Sequence, residues 1–270
     1  MPREPKHFVQ SLARGLSVLQ AFSPQRSRLT LTELGQATGM NKAAVQRLTD
    51  TLLVLGFLGR DEHKEYYLGP KVLSLGYAFL EGSQLREMAR EHLRRFSETS
   101  GRTVNLCVLD DLDVVVVYRR EVQSFFKFDV QAGSRLPSYA TSMGKVLLAA
   151  LPDAELKARL KRLKLTRLTP HTITDREVLW RELMTVRARG WAVGDREASL
   201  ALYSMAVPII NQRQRVMATV NVSIFTEQMD QALIEHLREE LTRQGRNLSE
   251  LMGYHGPYPI LPVGLDQDDD

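Results

Sequence analysis

Residues 142–145 read S-M-G-K, a hydroxyl three residues before an amine. This S-x-x-K spacing lets acylating penicillin-binding enzymes set a lysine beside a serine nucleophile. Neither an S-D-N nor a K-T-G segment accompanies it, so no catalytic residue is assigned and an acyl-transfer hydrolase is kept only as a remote alternative. The six histidines are scattered, without H-E-x-x-H or a close ligand pair, and no metal site is expected. The single cysteine, Cys107, lies in the apolar run TVNLCVL, which excludes a disulfide framework and points to a buried, inert thiol. With no P-loop and no G-x-G-x-x-G, no cofactor is expected.

Binding chemistry is better represented. SYATSMGKVLLAAL sets a polar loop immediately before an apolar helix, so backbone N–H groups near Ser142 and Met143 are placed to receive an anion. In VMATVNVSIF, Ala218, Val220, Val222 and Ile224 alternate with Thr219, Asn221 and Ser223. Periodicity alone favours water on the polar side; a cavity there would instead offer orienting hydrogen bonds to a small ligand. Arg119, Arg120 and Arg135 are cations suited to a carboxylate, though each taken singly reads as a surface charge.

A second kind of chemistry sits near the start of the chain. In GMNKAAVQRLTDTLLVLGF, Val45, Leu48, Leu52 and Leu55 share one side of a helix, and Lys42, Ala43, Gln46 and Arg47 lie toward the other. Asn41 suits the cap and Gly56 the left-handed stop. Upstream, LTLTELGQATGM has Thr30 and Glu33 at capping-box spacing and ends at Gly39. Two short helices about a glycine turn form a helix-turn-helix, whose second helix enters the DNA major groove. SLARGLSVLQAF supplies a preceding helix through Leu12, Leu16 and Leu19. FLGRDEHKEYYLGP reads as a hairpin with Lys64 at its tip, a wing. Arg47 and Gln46 are the candidates for base edges, Lys42 and Lys64 for phosphates. The competing reading is a helical hairpin with solvated charges.

The elements that must position these residues follow along the chain. At 270 residues, two modest domains fit better than one, and 43% hydrophobic with 25% charged residues is ordinary for a globular protein. No run is apolar enough to span a bilayer and MPREPKHFVQ lacks a secretory core, which indicates the cytoplasm. PKVLSLGYAFLEG and LREMAREHLRRFSETSG read as connecting helices, the second with a solvated arginine–glutamate face. TVNLCVL, DVVVVYRRE and FFKFDVQAG read as strands, followed by helices at ATSMGKVLLAALP, DAELKARLKRLKL and LWRELMTVRAR, the last capped by Thr174 and Glu177. YSMAVPII, VMATVNVSIF and the helix QALIEHLREELTRQG complete a mostly antiparallel α+β domain. The end, DQDDD, reads as a disordered, solubilising tail.

Taken together, SLARGLSVLQAF, AVQRL, LLVLGFL, GSRLPSYATSMGKVLLAAL, LTPHTITD, VRARGWAVGDRE and YSMAVPIINQRQRVMATVNVS resemble the IclR family of bacterial transcriptional regulators over nearly the whole length. GSRLPSYATSMGKVLLA and LTPHTITD look closest to the branch controlling protocatechuate, 4-hydroxybenzoate and β-ketoadipate metabolism. The resemblance implies a winged helix-turn-helix over 8–70, linker helices over 71–101, a GAF-like effector domain over 102–253 and a tail over 254–270. It also implies operator DNA and a small carboxylate as partners, and a homodimer or a tetramer built from dimers, with RNA polymerase a further candidate partner. Ligand binding would then shift the two DNA-binding units of a dimer through the linker helices. By the resemblance the effector would meet Ser142, Met143, Asp195, Ser204, Asn221 and Ser223; Arg119 and Arg135 join them from the charge argument. Where many members have two adjacent acids, this chain has Gly194 then Asp195. Ala201 and Tyr203 replace the usual glycine and arginine, adding bulk and an aromatic wall beside the ligand. A non-aromatic effector such as a keto acid is the alternative within the family. A sheet that docks a protein partner is the alternative outside it.

Overall fold

The computed structural model describes residues 6–82, 84–122 and 130–261. The chain divides into two units, residues 1–82 and 83–270.

In the first unit, α1 (Gln10–Gln20), α2 (Leu31–Thr38) and α3 (Lys42–Val54) precede an antiparallel hairpin of β1 (Leu58–Arg60) and β2 (Tyr66–Leu68), and α4 (Lys71–Glu81) follows. Local chemistry sets the boundaries. The Thr30 hydroxyl accepts from the Glu33 N–H, and the Glu33 carboxylate accepts from the Thr30 N–H at 2.8 Å, a complete capping box. Gly39 stops α2 in the left-handed region at φ 68°, where a β-carbon would be strained. Asn41 then caps α3 by accepting from the Ala44 N–H. Val18, Leu29, Leu34, Val45, Leu52, Leu58 and Tyr66 form the core. Three expected core positions differ: Leu55 is exposed because α3 ends at Val54, and Leu12 and Leu16 are exposed. On α1 Val18 is buried in the core and Leu19 packs against it as expected, while a second apolar stripe faces outward.

The second unit begins with α5 (Gln84–Ser100). The strands β3 (Thr103–Asp110), β4 (Asp113–Arg120), β5 (Arg135–Pro137), β6 (Ala192–Asp195), β7 (Leu202–Ile210) and β8 (Val216–Phe225) form one antiparallel sheet in the order β5-β4-β3-β8-β7-β6. Between β5 and β6 run α6 (Ser142–Ala149), α7 (Asp153–Arg162) and α8 (Arg176–Arg189), and α9 (Gln231–Leu251) follows β8. The helices α5 and α9 pack on one sheet face. The other face meets α6, behind which Leu156, Leu160, Leu179, Leu183 and Val186 of α7 and α8 join Val146 and Leu148 in a single core with Cys107, Val116 and Ala206.

Some assignments made from sequence change. Of the strand expected at FFKFDVQAG, residues 125–129 lie outside the described residues, and Gln131–Gly133 form a turn. The strand that pairs with β4 is Arg135–Pro137, three residues long and too short for a periodic signal. β6 is likewise four residues and carries Gly194 in its middle. The cap of α8 is Asp175, accepting from the Val178 N–H, because the chain turns one residue later than Thr174. The acidic end lies outside the described residues. Among the described residues, no helix is long and apolar enough to cross a membrane. Nor does any group of three or more His, Cys, Asp or Glu among them suit a metal ion.

Candidate functional site

Lys42, Ala43 and Arg47 are exposed on α3; the Arg47 carbonyl accepts from Thr51 Oγ1, while its guanidinium has no hydrogen-bond or ion-pair partner among the described residues. Gln46 is different. It is half-buried, and its amide donates to Asp50 Oδ1 at 2.7 Å, so a base contact would first break that bond. In the wing, Asp61 Oδ1 accepts from the N–H groups of His63 (3.0 Å) and Glu65 (2.9 Å), and the carboxylate pairs with Arg28. That clamp holds the turn and sets exposed Lys64 at its tip, at φ 64°.

The second site is a cavity of about 220 Å³ between the α6 side of the sheet and the loop that leads into α6. Ladder register builds it. Asn105 lies opposite Arg119 on β4 and opposite Asn221 on β8, Thr103 opposite Ser223, and Ser204 opposite both Ser223 and Gly194. Opposed residues share a face, so this corner of the sheet is polar while Cys107, Val116 and Ala206 further along are core. The facing wall is apolar, from Val130, Leu136, Ala140 and Met143, with Leu202 and Phe225 from the sheet.

A hydrogen-bond chain crosses the floor. Arg119 donates through Nη1 to Asn105 Oδ1 (2.9 Å) and through Nη2 to Glu121 Oε1 (2.8 Å). Asn105 Nδ2 donates to Asn221 Oδ1 (2.8 Å), and Asn221 Nδ2 reaches Ser223 Oγ at 3.4 Å. The Arg119 side chain is only 12% exposed. Its Nε is buried with no hydrogen-bond partner among the described residues.

The cavity brings together Arg119, Met143, Ser204, Asn221 and Ser223 of the predicted effector residues. Ser142 stands behind them, buried, its hydroxyl 2.9 Å from that of Ser204. Gly194 makes this possible: a β-carbon there would lie 3.0 Å from Ser204 Oγ and 3.2 Å from the Ser142 nitrogen. Four other expected residues fall outside the lining. Arg135 points away and is taken by Asp110 (2.6 Å) and Asp113 (3.1 Å). Asp195 lies outside the lining and pairs with Arg196 at 2.8 Å, whose hydrogen bond holds the carboxyl below its ordinary range. Tyr203 also forms no wall of the cavity, because alternation turns Leu202 and Ser204 inward and Tyr203 to the opposite face. Ala201 is absent from the lining as well. The polar side of β8, for which periodicity favoured water, faces this cavity. Asn105, Thr103 and Glu121 were missed; the signal for Asn105 was an amide inside an otherwise apolar strand.

The S-x-x-K pair is not a catalytic dyad. Lys145 is buried, donates to the Val193 carbonyl at 3.1 Å, pairs with Glu197 and lies 3.8 Å from Glu182, so its amine is committed away from Ser142. Burial pushes the Glu197 carboxyl above its usual range against the pull of Lys145. Cys107 packs its sulfur 3.0 Å from that of Met143, and burial raises its thiol, consistent with an inert group.

A recognition helix with a wing in one unit and a ligand-sized cavity in the other are the parts of a DNA-binding transcriptional regulator with an effector domain. Residues 11–62 match the IclR helix-turn-helix domain, and residues 77–250 match the C-terminal domain of bacterial transcriptional regulators of the IclR type. The chain belongs to the IclR family and is a regulator, not an enzyme. It is 38% identical over 229 residues to the Pca regulon regulatory protein of Pseudomonas putida, covering 84% of this chain and 78% of that one. It is 32% identical over 252 residues to the p-hydroxybenzoate hydroxylase transcriptional activator of Acinetobacter baylyi, covering 91% and 92%. Among solved structures, an IclR homologue from Microbacterium hydrocarbonoxydans complexed with 4-hydroxybenzoate superposes with a TM-score of 0.72 at 25% identity, over 90% of this chain and all of the other (100%).

Proposed function

We propose that this regulator senses a small aromatic carboxylic acid in the cavity of its second unit and controls genes of aromatic-compound breakdown of the β-ketoadipate type. The observation that carries the reading is the cavity's division into a polar floor with one largely buried guanidinium and an apolar wall. Arg119 suits a carboxylate, Met143, Leu202 and Phe225 suit a ring face, and Asn221 and Ser223 suit a ring hydroxyl. Size agrees, since an engineered cavity of about 150 Å³ holds benzene and this one is about 220 Å³. A keto acid as small as pyruvate would leave much of that volume unfilled. The relatives named for the Pca regulon and p-hydroxybenzoate hydroxylase, and the homologue bound to 4-hydroxybenzoate, support the same class.

On the DNA side, Arg47 reads a base edge, small Ala43 lets the helix approach the groove, and Lys42 and Lys64 serve phosphates. The protein acts as a homodimer in the cytoplasm. Phe8, Val9, Leu12 and Leu16 at α1, and Leu73, Tyr77 and Phe79 on α4, leave a single small unit with more exposed apolar surface than a monomer needs.

The test is the melting temperature of the full chain against protocatechuate, 4-hydroxybenzoate, β-ketoadipate, pyruvate and glyoxylate. An acid at about 100 times its dissociation constant adds roughly 2.7 kcal/mol, about 5–10 °C for a domain of this size. A selective rise with one ring acid is expected. A rise confined to pyruvate or glyoxylate would replace the aromatic reading with the keto-acid one, and no rise at all would remove the aromatic reading.

A further inference from the structure

We infer that Glu121 is a built-in stand-in for the effector's carboxylate, holding Arg119 until an acid enters and takes its place. The inference rests on reading this cavity as the effector site. A guanidinium as buried as that of Arg119 is costly without a counter-charge, so the ligand-free protein needs an anion there. Glu121 supplies it, but incompletely. Guanidinium and carboxylate pair best through two parallel N–H···O bonds. Glu121 makes one, to Nη2, while Nε on the same edge of the guanidinium is buried and unserved among the described residues. The far nitrogen, Nη1, is held by neutral Asn105, itself fixed by Asn221, so the guanidinium stays aimed whichever acid it pairs with.

The exchange is therefore one bond for two. An entering carboxylate spans Nε and Nη2, and Glu121, whose side chain is already 43% exposed, turns out to water at little cost. Glu121 is the first residue after β4, and the N–H of the next, Val122, donates to Thr103 Oγ1 over a long 3.4 Å. Displacement thus acts on the chain where the sheet ends. It also makes the site selective for charge: a neutral isostere of the acid has nothing with which to expel Glu121.

The experiment is calorimetric titration of the full-length wild type, Glu121→Gln and Glu121→Ala with 4-hydroxybenzoate, protocatechuate and 4-hydroxybenzamide. Binding of either acid by the wild type tests the cavity reading; the ratio between variant and wild type tests the stand-in. Removing the competitor should tighten acid binding about tenfold in both variants, with a clearly smaller gain for the amide, which brings no charge to Arg119. Equal or weaker acid binding in folded variants overturns the inference, as does an equal gain for acid and amide. Wild-type protein that binds neither acid overturns the aromatic reading and this inference with it.

Discussion

Lys145 and Glu197 are 2% and 8% exposed at the side chain, so water screens their attraction little and cannot rescue either charge if the other is removed. Lys145→Met keeps the aliphatic stem and deletes the charge. Breaking a buried pair from one side costs about 3–5 kcal/mol, because the remaining charge is left in a poor solvent. Here the Val193 carbonyl also loses a donor. Against a typical total of about 5–15 kcal/mol, the variant should lose roughly 1–2 M in urea midpoint. Both tryptophans, Trp180 and Trp191, belong to the second unit, so their fluorescence reports its unfolding. The double variant Lys145→Met/Glu197→Met should recover to within about 1 kcal/mol of wild type, since an apolar pair of similar volume has no charge to desolvate. pH gives a second reading. Burial raises the folded-state pKa of Glu197, and removing Lys145 raises it further. A carboxyl raised on folding destabilises above its folded pKa, and that cost is relieved as pH falls through it. The deficit of the single variant should therefore shrink from pH 7 toward pH 5. An unchanged midpoint for Lys145→Met would refute the argument, and a double variant as weak as the single would assign the loss to packing instead of charge.

The proposed DNA roles separate in a titration of duplexes by fluorescence anisotropy, using a high-affinity site selected from random sequence. Arg47→Ala should lose about 1–3 kcal/mol and its base preference at one position, whereas Lys64→Ala should weaken all sequences alike and lower the salt slope by about 1. Unchanged selectivity with Arg47→Ala would remove it from base reading. For the homodimer, Leu12→Glu and Leu73→Glu place charges on the exposed stripes of α1 and α4, and sedimentation should shift toward monomer as the protein is diluted. Wild-type-like sedimentation of both variants would move the interface elsewhere.

The legible parts were those in which short-range chemistry decides. Thr30, Glu33, Gly39 and Asn41 are adjacent in sequence to the backbone groups they satisfy, so the helix-turn-helix could be read from spacing alone. The wing turn was legible for the same reason, with Asp61 bonding residues two and four positions on. The short strands β5 and β6 were not, since three or four residues carry too little period to register.

The cavity shows where such reading stops. Period two correctly grouped Thr219, Asn221 and Ser223 on one side of β8, but it says nothing of what lies above that side. Loop chain and α6 cover it, so on the side that resembles a solvated face Asn221 and Ser223 form part of the floor of a cavity. Arg119 and Arg135 make the same point. Both are strand arginines, and sequence offers no reason to prefer either. Register separates them: Arg119 falls opposite Asn105 in the middle of the sheet, while Arg135 falls opposite Val115 on the edge strand, within reach of Asp110 and Asp113. Arg119 owes its suitability for an acid to long-range pairing, because Asn105 and Asn221, 116 positions apart, meet across two strands to hold it. A guanidinium positioned that way keeps its aim when its counter-ion changes, and sensing an acid requires that property of the group that receives it.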